Sequence, residues 1–138
     1  MSVSNPYLKL MKRVVTVLTG DATLTAMVPA GNIFPQLDPM AASAGNQISF
    51  GWTNSVWDVR QKRGVGSFLL RVHAVENVAK AEEIFQRVRL ILTPRSLTLV
   101  GTVTVHRLRE VTAGQELSQD STGRFTYTAT WDVNLIDA

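Results

Sequence analysis

Cysteine is absent from the 138-residue chain. Disulfides, thiolate zinc sites and a cysteine nucleophile are thereby excluded. The chain suits a reducing compartment. Charge is sparse, 18% of residues, against 45% hydrophobic ones. That balance belongs to a folded domain rather than to a disordered segment, whose few apolar side chains cannot offset the cost of ordering. Two histidines are present, His73 and His106, neither in an HxH or HExxH setting. No run is long and apolar enough to span a bilayer. Met1 to Pro6 lack the basic-then-apolar layout of a signal peptide, and Lys9, Lys12 and Arg13 interrupt the stretch that follows, so the expected address is the cytoplasm. The formal net charge is +3, which favours solubility and gives no more than a weak pull toward polyanions.

What is present reads as α+β. Asn5-Pro6 places an N-cap before proline at the first helical position. Leu8, Met11, Val14, Val15 and Leu18 then recur at helical spacing. Gly20 closes this helix and Asp21 caps another, giving helices over 6–19 and 22–28 that end before Pro29 and Gly31. Asn32 to Phe34 is a short strand and 36–46 a loop. Gln47 to Trp52 is a strand, 54–66 a long polar connection, and Ser67 to Val75 a strand with Phe68, Leu70, Val72 and Ala74 on one face. Asn77 caps a helix over 77–92 with an apolar stripe of Ala81, Ile84, Phe85, Val88, Ile91 and Leu92. Lys80, Glu83 and Arg87 fall on its outer face, Glu83 four residues before Arg87. Thr102 to Val111 is a strand whose alternation slips near Arg107, the mark of a bulge or of the end of burial. A polar loop over 113–123 leads to the clearest strand, 124–136, with Phe125, Tyr127, Ala129, Trp131, Val133 and Leu135 facing one way and a threonine-rich set facing the other. The order α-α-β-β-β-α-β-β predicts one domain over 1–138, with a mainly antiparallel sheet of four to five strands packed on helices.

No pattern of catalysis emerges from these residues. There is no G-x-S-x-G elbow, and Ser43, Ser55 and Ser121 fall in loops. Glu82 and Glu83 are neighbours on a helix and point about 100° apart, so they cannot act as a carboxylate dyad. Gly64-Val65-Gly66 leads into a strand, whereas a phosphate-cradling loop leads into a helix. A metal site would require His73 and His106 to meet beside a carboxylate; two half-exposed strand histidines are the plainer expectation. Arg60, Lys62 and Arg63 beside Trp57 are the minimum for a single-strand nucleic-acid site, although Asp58 dilutes the charge. A solvated loop or a loop that docks protein suits the same cluster better, and Gln115, Glu116, Gln119 and Asp120 in the second loop are further candidates for docking. No cofactor is expected.

Two stretches carry a resemblance. The elbow Leu18-Thr19-Gly20-Asp21-Ala22-Thr23-Leu24-Thr25-Ala26-Met27-Val28 leads to Gly31-Asn32-Ile33-Phe34-Pro35. A strand ending Arg71-Val72-His73-Ala74, the capped helix 77–92 and the strand holding Phe125-Tyr127-Thr128-Ala129 follow. This layout resembles the tail-terminator (tail-completion) proteins of long-tailed bacteriophages over nearly the whole chain. The resemblance implies a structural subunit without catalysis, in the virion and, during assembly, in the host cytoplasm. It implies a ring, usually a hexamer, that caps the tail tube protein, ends tube growth and offers a joint to the neck or head-completion protein. Genome DNA would pass through such a ring without specific binding. A neck or head–tail adaptor subunit is the near alternative, and a small nucleic-acid-binding module using residues 60–63 the distant one.

Overall fold

The computed structural model describes residues 6–36, 44–93, 103–115 and 122–137. Helix α1 spans Pro6–Thr19, with Pro6 at its first position. Its core face carries Leu10, Val14 and Leu18, all fully buried, with Tyr7 and Met11 nearly so. The Asn5 cap lies outside the described residues. Asp21 caps α2, Ala22–Thr25, by accepting a 2.8 Å hydrogen bond from the Leu24 amide. This helix is shorter than the sequence suggests, and the chain continues as a turn in which the Met27 and Val28 amides both donate to Leu24 O. Pro29 disfavours helical backbone in the residue before it, so the helix cannot run to Val28.

A single 3₁₀ turn, Ala30–Asn32, leads into β1, Ile33–Phe34. The sheet is completed by β2 (Gln47–Asp58), β3 (Arg63–Ala74), β4 (Val103–Gln115) and β5 (Phe125–Asp137), in the spatial order β1-β2-β3-β5-β4. Only β1 pairs in parallel, with Ile48 and Ser49; the other pairings are antiparallel. Helix α3, Val78–Ile91, connects β3 to β4 and lies on β3 and β5. Asn77 caps it through a 2.8 Å bond from the Lys80 amide. The architecture is therefore the expected α+β one, in the expected order.

One sheet face packs on the helices. Ile48, Phe50, Phe68, Leu70, Val72, Ala74, Val133 and Leu135 are fully buried there, against Ala81, Ile84, Phe85 and Val88 of α3. Aromatic rings link α1 to α3 across the sheet. Tyr7 meets Trp52 edge-on at 4.8 Å, Trp52 meets Phe68 at 5.6 Å, and Phe68 stacks on Trp131 at 5.4 Å. Trp131 then meets Phe85 at 5.6 Å, and Phe85 stacks on Tyr127 at 4.8 Å. Burying each such ring contributes roughly 1.5–3 kcal/mol, with pair geometry adding about 0.5–1.5 kcal/mol.

Four expectations need correction. Residues 54–66 are not a loop: β2 and β3 pair as far as Asp58 and Arg63, leaving only Val59–Lys62 as the turn. The second long loop is shorter too, because β4 pairs through Gln115 opposite Tyr127. His73 is buried at 1% exposure rather than half-exposed. Glu83 does not pair with Arg87; it meets Lys80 at 3.3 Å, while Arg87 reaches Asp21 at 2.8 Å. That last pair bridges α3 to the cap of α2, with Arg87 donating through Nε and Nη2 to both Asp21 oxygens. The slip near Arg107 is real, a register shift between Val105 and Arg107, and another lies between Glu110 and Thr112.

Candidate interaction surface: the hairpin arm and the outer sheet face

The β2–β3 hairpin ends in an exposed arm, its β3 strand paired with β5 as far as Arg63 opposite Ile136 and its turn, 59–62, beyond that pairing. Thr53 to Val56 are all exposed, as are Val59 to Arg63. Its turn is built locally. Asp58 Oδ1 accepts from the amides of Arg60 at 2.9 Å and Gln61 at 3.0 Å, and Lys62 takes a left-handed conformation at φ 52°. Arg60 and Lys62 stand in this turn and Arg63 opens β3, all exposed. The sequence-predicted basic cluster is therefore held together at the arm's tip.

Trp57 stands apart from those cations. It pairs opposite Gly64 on the face turned toward α1, and it is half-buried against the core. The arm is fastened there. The Tyr7 hydroxyl donates to Val56 O at 2.6 Å and to Val65 O at 3.0 Å, and Trp52 Nε1 donates to Tyr7 O at 3.1 Å. Burial pushes the Tyr7 phenol above its ordinary pKa. Gly64 and Gly66 make room: a Cβ at Gly66 would lie 2.9 Å from Trp52 Cζ3, and one at Gly64 would lie 2.7 Å from Trp57 Cε3. With Trp57 engaged below the arm, Arg60 and Lys62 have no ring of this cluster beside them on which a base would stack.

On the outer face, Val56 and Val65 form an exposed cross-strand pair. Further along, Asp132 accepts from Ser67 Oγ at 2.7 Å and faces Arg109 at 3.7 Å. An open cavity of about 260 Å³ lies beside them, lined by Asn54, Val65, Gly66, Ser67, Asp132 and Asn134. The far end of this face is different. Gln47, Ser49, His73, Arg124 and Thr126 are buried. His73 Nε2 lies 2.8 Å from Ser49 Oγ and Nδ1 lies 3.3 Å from Thr126 Oγ1. A serine–histidine contact invites comparison with a nucleophile and its base. Ser49 is fully buried, however, and a hydroxyl stands where a triad carries a carboxylate, so the contact ties β2, β3 and β5 rather than presenting a nucleophile. The threonine face is correspondingly less open than its alternation suggests, with Thr126 buried and Thr128 and Thr130 half-buried.

His73 and His106 do not meet, since β5 separates their strands. Among the described residues no cluster of three or more His, Cys, Asp or Glu could hold a metal ion, and no helix is long and apolar enough to cross a membrane. Gln115 lies at the end of β4, while Glu116, Gln119 and Asp120 lie outside the described residues.

Known structures share this fold. A chain from the structure titled "Virion of native gene transfer agent (GTA) particle" superposes with a TM-score of 0.73 at 19% identity, covering 97% of this chain and 98% of that one. A second solved structure superposes with a TM-score of 0.58 at 15% identity over 99% of both chains. No protein-family model matches the chain. No curated protein matches it.

Proposed function

We propose that this chain is a structural, non-enzymatic subunit of a phage-like virion, whose copies form a ring at the end of the tail tube. The observation that carries the reading is the end-to-end match to a chain of a gene transfer agent particle at TM-score 0.73, with neither chain holding a large extra segment. Near-equal coverage means the whole fold is the shared unit. The resemblance of the elbow 18–28 and of Gly31–Pro35 to tail terminators points the same way.

In this reading the ring is a head-to-tail hexamer, a heterologous contact that closes on itself. One rim meets the last ring of the tube protein and the other meets the neck or head-completion protein, while DNA passes through the lumen. The subunit acts in the virion after assembly in the host cytoplasm. The exposed arm, with Arg60, Lys62 and Arg63 at its tip, is the contact element toward other subunits. Gln115, Glu116, Gln119 and Asp120 are proposed as a second contact, and Trp57 supports the arm from beneath.

Native mass spectrometry over a concentration series, with electron microscopy of the product, tests this. A closed six-fold ring supports it; a species that stays monomeric at every concentration counts against it. Replacing Arg60, Lys62 and Arg63 together with alanine is expected to leave the circular dichroism spectrum unchanged and to weaken assembly. A neck or adaptor subunit of the same particle also forms a ring, so capping of purified tail tubes in vitro separates the two roles.

A further inference from the structure

The arm's tip has a counterpart elsewhere on the same chain. Three of the exposed large apolar side chains, Val56, Val59 and Val65, sit on the arm at 57%, 74% and 54% exposure. Beside them Arg60, Lys62 and Arg63 outweigh Asp58, whose Oδ1 is already engaged by the turn. Two more exposed apolar side chains, Val75 and Leu90 at 51% and 71%, flank the outward side of α3. That side is acidic. Glu76, Glu82 and Glu83 are exposed on or just before it. The cations of α3 are drawn elsewhere: Arg87 pairs with Asp21 at 2.8 Å and Arg89 with Glu110 at 2.9 Å. Lys80 alone turns toward this side, 3.3 Å from Glu83, whose side chain remains 61% exposed.

The acidic patch begins at the end of β3 away from the tip, and α3 then runs back along the sheet, so that Arg89 is level with mid-strand Phe68 through Glu110 and Trp131. The tip precedes Arg63, the strand runs 12 residues to Ala74, and Val75 and Glu76 follow. Twelve extended residues separate the ends by ~40 Å. The patches therefore cannot meet within one molecule, but they can meet between two. Complementary surfaces at opposite ends of a subunit are what a head-to-tail contact requires.

The geometry points to a second copy of this chain as the partner of the arm: the basic, valine-bearing tip of one subunit docks on the acidic outer side of α3 of the next. This rests on the ring reading above and names the contact that builds the ring. The tip supplies Arg60, Lys62 and Arg63 toward Glu76, Glu82 and Glu83, and the valines of the arm cover Val75. The contact is charge-steered, so it weakens as salt rises.

Two reversals test it. One variant carries Arg60→Glu, Lys62→Glu and Arg63→Glu; the other carries Glu76→Lys, Glu82→Lys and Glu83→Lys. Circular dichroism checks that each keeps its fold. At concentrations where the unmodified chain is a ring by native mass spectrometry, each variant alone is expected to be monomeric, because its two patches then share one sign. Mixed in equal amounts, the variants are expected to rebuild rings of alternating composition, since every tip again faces an opposite patch. Rings from either variant alone overturn the contact, as does a mixture that stays monomeric. If the unmodified chain forms rings and neither reversal disturbs them, this contact fails while the ring reading stands. An unmodified chain that is monomeric throughout overturns both.

Discussion

Gly64 and Gly66 hold the arm to α1 by what they lack. Built as alanine, Gly64 would put its Cβ 2.9 Å from Val56 O, a backbone atom that cannot swing aside, and also against the Tyr7 hydroxyl. Gly64→Ala is expected to cost about 1–3 kcal/mol through overpacking, read from urea unfolding. Tyr7→Phe removes the donor shared by Val56 O and Val65 O while keeping the ring, and is expected to cost about 1 kcal/mol in the same assay. Asp21 is a second single residue on which several elements converge. It caps α2 and receives Arg87 at Nε and Nη2, at 3.1 and 2.8 Å. The Arg87 hydrogen bond, ahead of burial, which opposes it, and the Leu24 amide, holds the Asp21 carboxyl below its ordinary pKa. Because the folded-state value is the lower one, the stabilisation is complete above the unfolded value, about 3.9, and is lost as pH falls through the folded value. Arg87→Gln is therefore expected to move the acid-unfolding midpoint to higher pH, with little change in the pH dependence near neutrality. Circular dichroism followed along an acid titration of both proteins decides it.

At the scale of elements, the ones that cross the core were legible. Helices α1 and α3 and the strands β3 and β5 each set an apolar stripe against the other layer, so helical or alternating periodicity survives in the sequence: Ala81, Ile84, Phe85 and Val88 on one side, Phe68, Leu70, Val72 and Ala74 on the other. The arm was not legible, for a physical reason. Beyond Trp52 the hairpin meets α1 through Tyr7, its exposed residues Thr53 to Val56 and Asp58 to Arg63 are mostly polar, and a register shift between Trp52 and Asn54 breaks the alternation. Glycines at 64 and 66 read as turn residues, yet they mark where Tyr7, Trp52 and Trp57 approach the strand. The basic tip itself was visible as Arg60, Lys62 and Arg63; its acidic counterpart on α3 was not, because only the fold separates the two by the length of β3. The burial of His73 is illegible in the same way: alternation puts it on the polar outer face, and only the fold brings Ser49 and Thr126 to its ring nitrogens. The turn offers a test that leaves the core alone. Lys62 is the only non-glycine residue with positive φ among the described residues. Lys62→Gly is expected to stabilise the chain by about 0.5–1 kcal/mol, the relief of a left-handed side chain less the added freedom of the unfolded glycine. Thermal unfolding reads the gain, and an unchanged or lowered midpoint would mean the turn holds Lys62 by contacts that offset its conformation.

For the whole molecule, the strand order decides how copies can meet. In β1-β2-β3-β5-β4 the sheet ends at β4 on one side, while on the other β1 covers only Ile48 and Ser49 of β2. Among the described residues two long edges are thus left with backbone groups that could pair with another chain. Both edges are broken: β2 shifts register between Trp52 and Asn54, and β4 between Val105 and Arg107 and again between Glu110 and Thr112. Such irregularities twist an edge away from a flat partner, and they disfavour one sheet running on into the next. The proposed ring fits this, since it directs association to side-chain contacts at the ends of the strands, where a fixed rotation between neighbours closes a ring of defined size. The expected outcome is that concentrated protein reaches one limiting mass, with no growth past it on further concentration. Electron microscopy would then show discrete closed particles. Long fibres with a repeat near 4.7–4.8 Å along their axis would instead mean that the edges pair, and the side-chain route to a ring would have to be abandoned.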